Sequence, residues 1–205
     1  ALTPHTCSVE TQTRCNGIDC GDNDKGQRYD GVCDKDGCDL NPYRMGNKTF
    51  FGPGANFVVD STKKMTVVTQ FITSDGTDTG DLVEIRRRYV QNGVTIDSPT
   101  FTLGGKPYDS ITDEMCVAQK AAFKDTDRFT THGGLKSMGA SLGRGVVLVM
   151  SMWDDHDVHM VWLDSNDPTT GSADTPGVAR GSCAITTGNP TDVEKNSPDA
   201  TVTYS

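Results

Sequence analysis

Apolar and polar side chains alternate through the middle of the chain. Residues 65–72 read Met-Thr-Val-Val-Thr-Gln-Phe-Ile, and residues 81–90 and 94–96 continue a spacing of two. That spacing is typical of β-strands, in which successive side chains point to opposite faces of a sheet. Asn92 and Gly93 separate the last two segments and suit the positive dihedral angles of a tight hairpin. The pattern therefore predicts an antiparallel sheet.

Other segments predict further strands and two minor helices. Residues 146–150 form a continuous apolar run, Val-Val-Leu-Val-Met, which favours a strand covered on both faces. Residues 159–163 and 201–204 also predict strands, whereas residues 113–124 and 133–140 favour short helices. The sum is a mainly β protein, for which a two-sheet sandwich or jelly roll is the favoured architecture.

The charge balance narrows the class of partner. The chain has 19 Lys and Arg residues against 28 Asp and Glu residues, a formal net charge of -9. Because nucleic acids are bound by clustered basic side chains, we expect no nucleic-acid partner and favour an uncharged ligand. The one dense basic run, Arg86-Arg87-Arg88, lies in a predicted strand that would send its members to opposite faces. No apolar stretch reaches the roughly 20 residues that span a bilayer, so no membrane partner is expected.

Cysteines cluster near the start of the chain. Five of the seven lie between Cys7 and Cys38, within a turn-rich segment over residues 1–46. This predicts a loop region held by disulfides in a secreted, extracellular protein. Zinc binding is the alternative, but four residues separate Cys15 from Cys20, where structural zinc pairs usually have two. Because seven is odd, one cysteine is expected to pair with sequence outside this chain.

Two tryptophans are candidate sugar-binding residues. Cleavage of a glycosidic bond needs a pair of carboxyl groups, and sugar rings stack on aromatic faces. Trp153 is followed by two aspartates, and Trp162-Leu163 is followed by Asp164. On two strands, these segments would present stacking platforms with neighbouring hydrogen-bond acceptors. The alternative, that both tryptophans fill the core, stays open at this point.

Acidic and histidine side chains between positions 154 and 159 raise the question of a metal site. In a strand, Asp155, Asp157 and His159 would share one face, and Asp154 and His156 would lie on the other. At most three of these ligands would then meet, so no metal site is expected.

Short segments in a fixed order and spacing run the length of the chain. They read Ala-Leu-Thr-Pro-His at 1–5, Arg-Tyr at 28–29, Asp-Gly-Cys-Asp at 36–39, Asn-Pro-Tyr-Arg at 41–44, Val-Val-Thr-Gln-Phe at 67–71, Tyr-Val-Gln-Asn-Gly at 89–93, Trp-Asp-Asp at 153–155, Trp-Leu-Asp-Ser at 162–165 and Arg-Gly-Ser-Cys at 180–183. Together they resemble the cellulases of glycoside hydrolase family 7. The resemblance covers essentially the whole chain.

The resemblance implies a fold and an activity. The fold is a concanavalin-like β-jelly roll of two stacked sheets, incomplete in this chain, with long disulfide-stapled loops over a cellulose groove or tunnel. The activity is retaining hydrolysis of β-1,4-glucosidic bonds, with cellulose or another β-1,4-glucan as substrate and cellobiose as product. The resemblance implies no metal or organic cofactor. The loop between Cys20 and Cys33 contains Arg28 and resembles the one that cellobiohydrolases fold over the product side, which favours release of cellobiose from chain ends.

Two alternatives stay open beside the cellobiohydrolase hypothesis. One is an endo-β-1,4-glucanase of the same family, and the other is a non-catalytic β-glucan-binding protein on the same fold. In that family a Glu-x-Asp-x-x-Glu strand supplies the nucleophile and the acid/base, and this pattern does not occur in the 205 residues. We therefore expect residues 1–205 to be part of a single catalytic domain, cut at both ends. The parent enzyme is expected to be a secreted monomer, with a possible glycosylation acceptor at Asn47-Lys48-Thr49.

The resemblance also implies roles for individual residues. His5 is similar to the active-site histidine beside the catalytic carboxylates. Trp162 resembles a platform on the product side, and Trp153 one on the substrate side. Polar side chains that hold substrate or the departing cellobiose are implied at Arg28, Asp36, Asp39, Arg44, Asp154 and Arg180, although surface ion pairing is the alternative for the arginines in glycine-rich loops.

The same resemblance implies a set of disulfide pairs. It also shows two positions at which this chain differs from the family pattern. The implied pairs are Cys7 with Cys33, Cys15 with Cys20, Cys38 with Cys116, and Cys183 with a residue outside this chain. Asp167 stands where a product-site tyrosine is often found, and His156-Asp157 replaces two aromatic residues. These departures bear on product affinity and on closure of the tunnel.

Overall fold

The strands and longer helices lie in the first part of the chain. The structure is a computed structural model that describes residues 1–14 and 25–204. Two compact units are present, Ala1–Val146 and Val147–Ser205. The first contains β1 Phe51–Gly52, β2 Val59–Asp60, β3 Thr66–Thr73, β4 Leu82–Gln91, β5 Val94–Asp97, β6 Phe101–Leu103, β7 Lys106–Tyr108, α1 Asp113–Phe123, α2 Arg128–Thr131 and α3 Gly134–Arg144, and the second contains α4 Val161–Asp164 and α5 Pro190–Asn196. That residues 1–205 belong to one domain stays a prediction.

The predicted antiparallel sheet is confirmed. Strands β3, β4 and β5 pair in that order, with Val67 opposite Tyr89. Asn92 and Gly93 connect β4 to β5 with φ angles of 54° and 76°, as a two-residue hairpin turn requires. The strands β1 and β2 form a parallel pair, and β6 and β7 form an antiparallel pair. No described helix is long and apolar enough to cross a membrane.

The basic run in β4 is held by ion pairs on the sheet. Arg86 Nη2 lies 2.6 Å from Glu84 Oε1, and Arg88 Nε lies 2.7 Å from Asp97 Oδ1. Arg87 lies between them in the strand, so its side chain points to the opposite face. This arrangement agrees with the structural role that alternation predicts.

The core of the first unit lies between the sheet and the helices. Thr112 caps the N-terminus of helix α1, because its hydroxyl accepts a hydrogen bond from the Met115 N–H at 3.1 Å. Lys124, the residue after the helix, has the left-handed conformation. Its buried residue Met115 packs with the fully buried side chains Ile85, Ile111, Phe129 and Leu135. The helices predicted at 113–124 and 133–140 are both confirmed, and α3 continues to Arg144.

Two of the implied disulfides are present. Cys7 is bonded to Cys33, and Cys38 is bonded to Cys116. The implied bond between Cys15 and Cys20 lies outside the described residues. Cys183 is a free, exposed thiol, and its pairing with a residue outside this chain stays a prediction.

Three strand predictions from residue 146 onward are wrong. Residues 146–150 have no secondary structure and are exposed, Val147 by 87% and Leu148 by 81%. Apolar composition favours a strand only where a partner supplies ladder hydrogen bonds, and the described residues supply none to this run. Residues 159–163 turn at two positive φ angles and then enter α4, and residues 201–204 have no regular structure.

The cap of α1 generates a stability prediction. Thr112→Ala leaves the Met115 N–H without its acceptor and should lower the free energy of unfolding by about 1 kcal/mol, as loss of an N-cap typically does. Chemical denaturation of the full-length protein measures the change. Thr100→Ala, at an exposed position outside helices and strands, is the matched control and should have no measurable effect. Equal effects of the two substitutions would contradict the capping role.

Candidate functional site

His5 lies on an irregular ribbon in which residues 2–8 run beside residues 32–40. Backbone hydrogen bonds join the two segments, including Asp34 N–H to the Thr6 carbonyl and Leu40 N–H to the Leu2 carbonyl, each at 2.8 Å. The disulfide between Cys7 and Cys33 closes one end of this N-terminal ribbon. The paired segments place His5, Asp36 and Asp39 on one short stretch of structure.

His5 is oriented by the opposite segment. Its Nδ1 lies 2.9 Å from the backbone carbonyl oxygen of Asp34. A carbonyl oxygen only accepts hydrogen bonds, so Nδ1 carries a hydrogen and, in the neutral ring, Nε2 is an acceptor. Gly37 allows the two segments of the ribbon to approach closely. Its φ is 69°, and a Cβ at this position would lie 2.5 Å from Thr3 Cγ2 and 2.9 Å from His5 Cε1.

Arg28 and Asp36 form the exposed ion pair of the N-terminal ribbon. A terminal guanidinium nitrogen of Arg28 contacts Asp36 Oδ1, and Arg28 lies 6.0 Å from the ring centre of Tyr29. Burial opposes ionisation of Asp36, but the hydrogen bond and charge of Arg28 outweigh it and hold the pKa of Asp36 below its ordinary value. Asp36 is therefore a carboxylate at neutral pH, with a cation fixed beside it.

Arg44 and Asp39 form a second, buried pair. Arg44 Nη1 lies 2.7 Å from Asp39 Oδ1, and Arg44 Nη2 lies 2.6 Å from Asp125 Oδ2. The guanidinium also lies 4.5 Å from the ring centre of Phe123. Only 4% of the Arg44 side chain is exposed, so in this structure it holds Asp39 in place rather than facing solvent. Asp125 has no signal in the sequence that marks it as a partner of Arg44, since 81 residues separate the two and no local pattern links them.

The two tryptophans of the second unit stack on each other. The ring centres of Trp153 and Trp162 are 5.9 Å apart, with an angle of 25° between the planes. Their residues are 58% and 36% exposed, which argues against the core-filling alternative. The prediction that they lie on two strands is wrong, because Trp153 has no regular structure and Trp162 lies in α4. The rings together form one exposed aromatic surface.

Asp155 organises the turn that joins the two tryptophans. Its Oδ1 accepts the N–H groups of Asp157 and Val158 at 2.9 and 3.1 Å. Its Oδ2 accepts the Met160 N–H at 3.2 Å and the Trp162 indole N–H at 2.9 Å. Burial opposes ionisation of this carboxyl, but the four donors outweigh it and lower the pKa of Asp155 to about 2.

Arg180 lies on a second irregular pairing, between residues 164–167 and 178–183. The Arg180 N–H donates to the Ser165 carbonyl at 2.7 Å, and a Cβ at Gly181 would lie 2.3 Å from the Asp164 carbonyl oxygen. The Arg180 guanidinium lies 3.4 Å from Asp167 Oδ2 and 3.5 Å from the Trp162 carbonyl. Asp167, which stands where the family often has a product-site tyrosine, is therefore the ion-pair partner of Arg180.

The structure brings the candidate residues together in two groups. His5, Arg28, Asp36, Asp39 and Arg44 lie on or against the N-terminal ribbon of the first unit. The second group, in the second unit, comprises Trp153, Asp154, Trp162 and Arg180. Their roles in sugar binding stay predictions.

Exposed aromatic faces beside fixed carboxylates suit sugar rings, whose C–H faces stack while their hydroxyls bond to polar groups. Both tryptophans are of this kind, which fits the class of carbohydrate-active proteins. The sequence profile of Glycosyl hydrolase family 7 matches residues 1–205. The chain belongs to that family.

Solved structures of the family are similar to this chain. A family 7 cellobiohydrolase from Daphnia pulex is 58% identical over 95% of the chain, with a TM-score of 0.89. A cellobiohydrolase from Melanocarpus albomyces, solved with cellotetraose, is 37% identical over 97% of it, with a TM-score of 0.82. An endocellulase from Humicola insolens is 33% identical over 96% of it, with a TM-score of 0.74.

The matches cover only part of each relative. The chain spans 44% of the Daphnia protein, 44% of the Melanocarpus protein and 42–43% of the Humicola endocellulase structures. The similarity confirms the predicted fold class, a mainly β jelly roll that is incomplete in this chain.

Protonation of Asp155 should separate the two tryptophans. Because the pKa of Asp155 is lowered on folding, from 3.8 to about 2, its contribution to stability is present above pH about 4 and is lost as the pH falls through about 2. The circular dichroism signal of the stacked pair is measured near 225 nm as the difference between the wild type and Trp153→Phe. This difference should disappear as the pH falls from about 4 through about 2. Asp155→Asn should weaken it already at neutral pH, because the amide keeps one acceptor and no charge. Asp157→Asn, in the same turn, should not. A signal that both substitutions leave unchanged would contradict the organising role of Asp155.

Proposed function

We propose that this chain is part of a secreted cellulase that hydrolyses β-1,4-glucosidic bonds with retention and releases cellobiose from chain ends. The observation that carries the proposal is the 58% identity to the Daphnia cellobiohydrolase, against 33% to the Humicola endocellulase. The disulfides support an extracellular location. In this mechanism one carboxylate attacks the anomeric carbon and a second carboxyl group protonates the leaving oxygen.

The residues of the N-terminal ribbon fit the handling of product. Arg28 and Asp36 together offer donors and acceptors to sugar hydroxyls, and their exposure leaves them accessible. Asp39 is held by Arg44, so we assign Arg44 a positioning role in which it acts through Asp39. His5, with Nδ1 committed to the backbone, offers Nε2 to a hydroxyl or a carboxyl group.

The aromatic surface of the second unit fits the apolar faces of glucose rings. Trp153 and Trp162 each present one ring face that the other does not cover. Arg180 and Asp154 lie close to them in sequence or by contact and would bond to hydroxyls at the edge of a stacked sugar.

An endoglucanase is the second candidate, and the match to the Humicola endocellulase favours it. The two activities differ in product. A cellobiohydrolase releases mainly cellobiose from the outset, whereas an endoglucanase shortens soluble cellulose derivatives before much cellobiose appears. Product analysis of the full-length protein on both kinds of substrate therefore separates the candidates.

Hydrolysis should need more than these 205 residues. The full-length protein is expected to release phenol from an aryl β-cellobioside, and residues 1–205 alone are expected to show no turnover, since the chain has no Glu-x-Asp-x-x-Glu sequence. A fluorogenic cellobioside assay of both forms measures this. Turnover by the segment alone, abolished by substitution of one of its own aspartates, would place the catalytic pair within this chain. Failure of the full-length protein to cleave any β-1,4-glucan would favour the binding-protein alternative.

Trp162 should contribute to the affinity for cellobiose. Trp162→Ala in the full-length protein removes a stacking face worth about 1–2 kcal/mol, so the inhibition constant for cellobiose should rise by roughly 5- to 30-fold. Trp162→Phe keeps an aromatic face and is the matched control, which should retain most of the affinity. Inhibition constants are measured by competition against an aryl cellobioside. An unchanged constant in a folded Ala variant would remove Trp162 from the sugar-binding surface.

A further inference from the structure

Three metal-ligating side chains meet in the second unit, although the sequence separates one of them widely from the other two. His156 Nε2 lies 3.0 Å from Glu194 Oε1 and 3.6 Å from Asp154 Oδ1. One ligand atom from each residue lies within 4.8 Å of the other two. Residues 154–159 do not form the strand that alternation predicts, and Glu194 supplies a third ligand beside Asp154 and His156.

These spacings match the edges of a coordination sphere. Zinc binds imidazole nitrogen and carboxylate oxygen at about 2.0–2.2 Å, so two ligands of a tetrahedral site lie about 3.4 Å apart. The two distances at His156 fall on either side of that value. The ligand atoms of the third pair, Asp154 and Glu194, lie within 4.8 Å of each other, so movement of these two side chains would bring the three atoms around one ion.

The charge of the cluster also favours a cation. Among the described residues, Asp154 and Glu194 each form an ion-pair contact with His156 and with no Lys or Arg side chain. With a neutral imidazole, the cluster carries two negative charges that a divalent ion would neutralise. The contacts with His156 alone do this only when the ring is protonated.

Both segments that supply the ligands are held by other contacts. Asp155 accepts hydrogen bonds from the turn that follows Asp154, which leaves the side chains of Asp154 and His156 to the cluster. Helix α5 presents Glu194 and begins at Asn189, whose side chain accepts the Thr191 N–H, with Pro190 in its first turn.

We propose that Asp154, His156 and Glu194 form a binding site for a divalent transition-metal ion of the zinc type. One imidazole and two carboxylates suit Zn²⁺, Co²⁺ or Ni²⁺ better than Ca²⁺ or Mg²⁺, which prefer oxygen ligands alone. The site is open to solvent, so water would complete the coordination. A bound ion would link the Trp153 end of the aromatic surface to helix α5.

The test is a calorimetric titration of ZnCl₂ into the full-length protein, purified in a non-chelating buffer near pH 7.5. We expect one Zn²⁺ per chain at this site and no heat from CaCl₂. His156→Ala should weaken binding by more than about tenfold, since even loss of an outer-shell partner costs about 10- to 100-fold. Asp154→Asn and Glu194→Gln should each weaken it as well.

Two control variants keep the result specific. Asp157→Asn changes the same charge in the same turn without touching the cluster and should bind Zn²⁺ as the wild type does. His159→Asn removes another imidazole of this unit, one that lies outside the cluster, and should also leave the affinity unchanged. Absence of Zn²⁺ binding, or binding that His159→Asn abolishes and His156→Ala does not, would overturn the proposal. Circular dichroism of each variant confirms that an observed loss is not a loss of folding.

Discussion

The loop region of the first unit depends on the contact between its backbone and helix α1. Cys38 is bonded to Cys116 of that helix, and next to it Asp39 pairs with Arg44 while its carbonyl accepts the Gln119 side-chain N–H at 2.5 Å. Residues 1–14 and 25–50 contain no helix or regular strand, so few ladder hydrogen bonds fix them. The disulfide restricts the unfolded chain over a separation of 78 residues. The polar contacts beside it then select one arrangement of the loops.

The buried Arg44 shows what stabilises the polar contacts beside this disulfide. A guanidinium removed from water loses hydration worth several kcal/mol, and two carboxylates and an aromatic ring replace it here. Removing either carboxylate would leave a buried charge without its partner, so the network is stable only as a whole. The Arg44 network also fixes the N-terminal ribbon, because Asp39 lies at one end of the ribbon. His5 lies opposite Asp34 within the same ribbon.

A single carboxylate has the corresponding role in the second unit. Asp155 accepts four hydrogen bonds, one from the Trp162 indole N–H and three from backbone N–H groups that a strand would have bonded to a neighbour. His159 and Met160 both take positive φ angles there, which reverses the chain and brings Trp162 over Trp153. In the same segment, His156 contacts both Asp154 and Glu194 of α5. The aromatic surface and the cluster of Asp154, His156 and Glu194 therefore both include residues of this one segment.

The sequence by itself determined the local elements and the family. Three signals are local: the alternation over residues 65–96, the helix-favouring composition of 113–124 and the Asn-Gly turn. Each of these elements formed where it was predicted. The apolar run at 146–150 has an equally clear pattern but no strand, because pairing depends on a neighbour that periodicity does not specify. Only the tertiary structure decided that Asp125 meets Arg44, that the two tryptophans share a surface and that Glu194 meets His156. The physical reason is that hydrogen bonds and ion pairs act over about 3 Å in space, whatever the separation along the chain, whereas sequence patterns report only on neighbours within a turn or a strand.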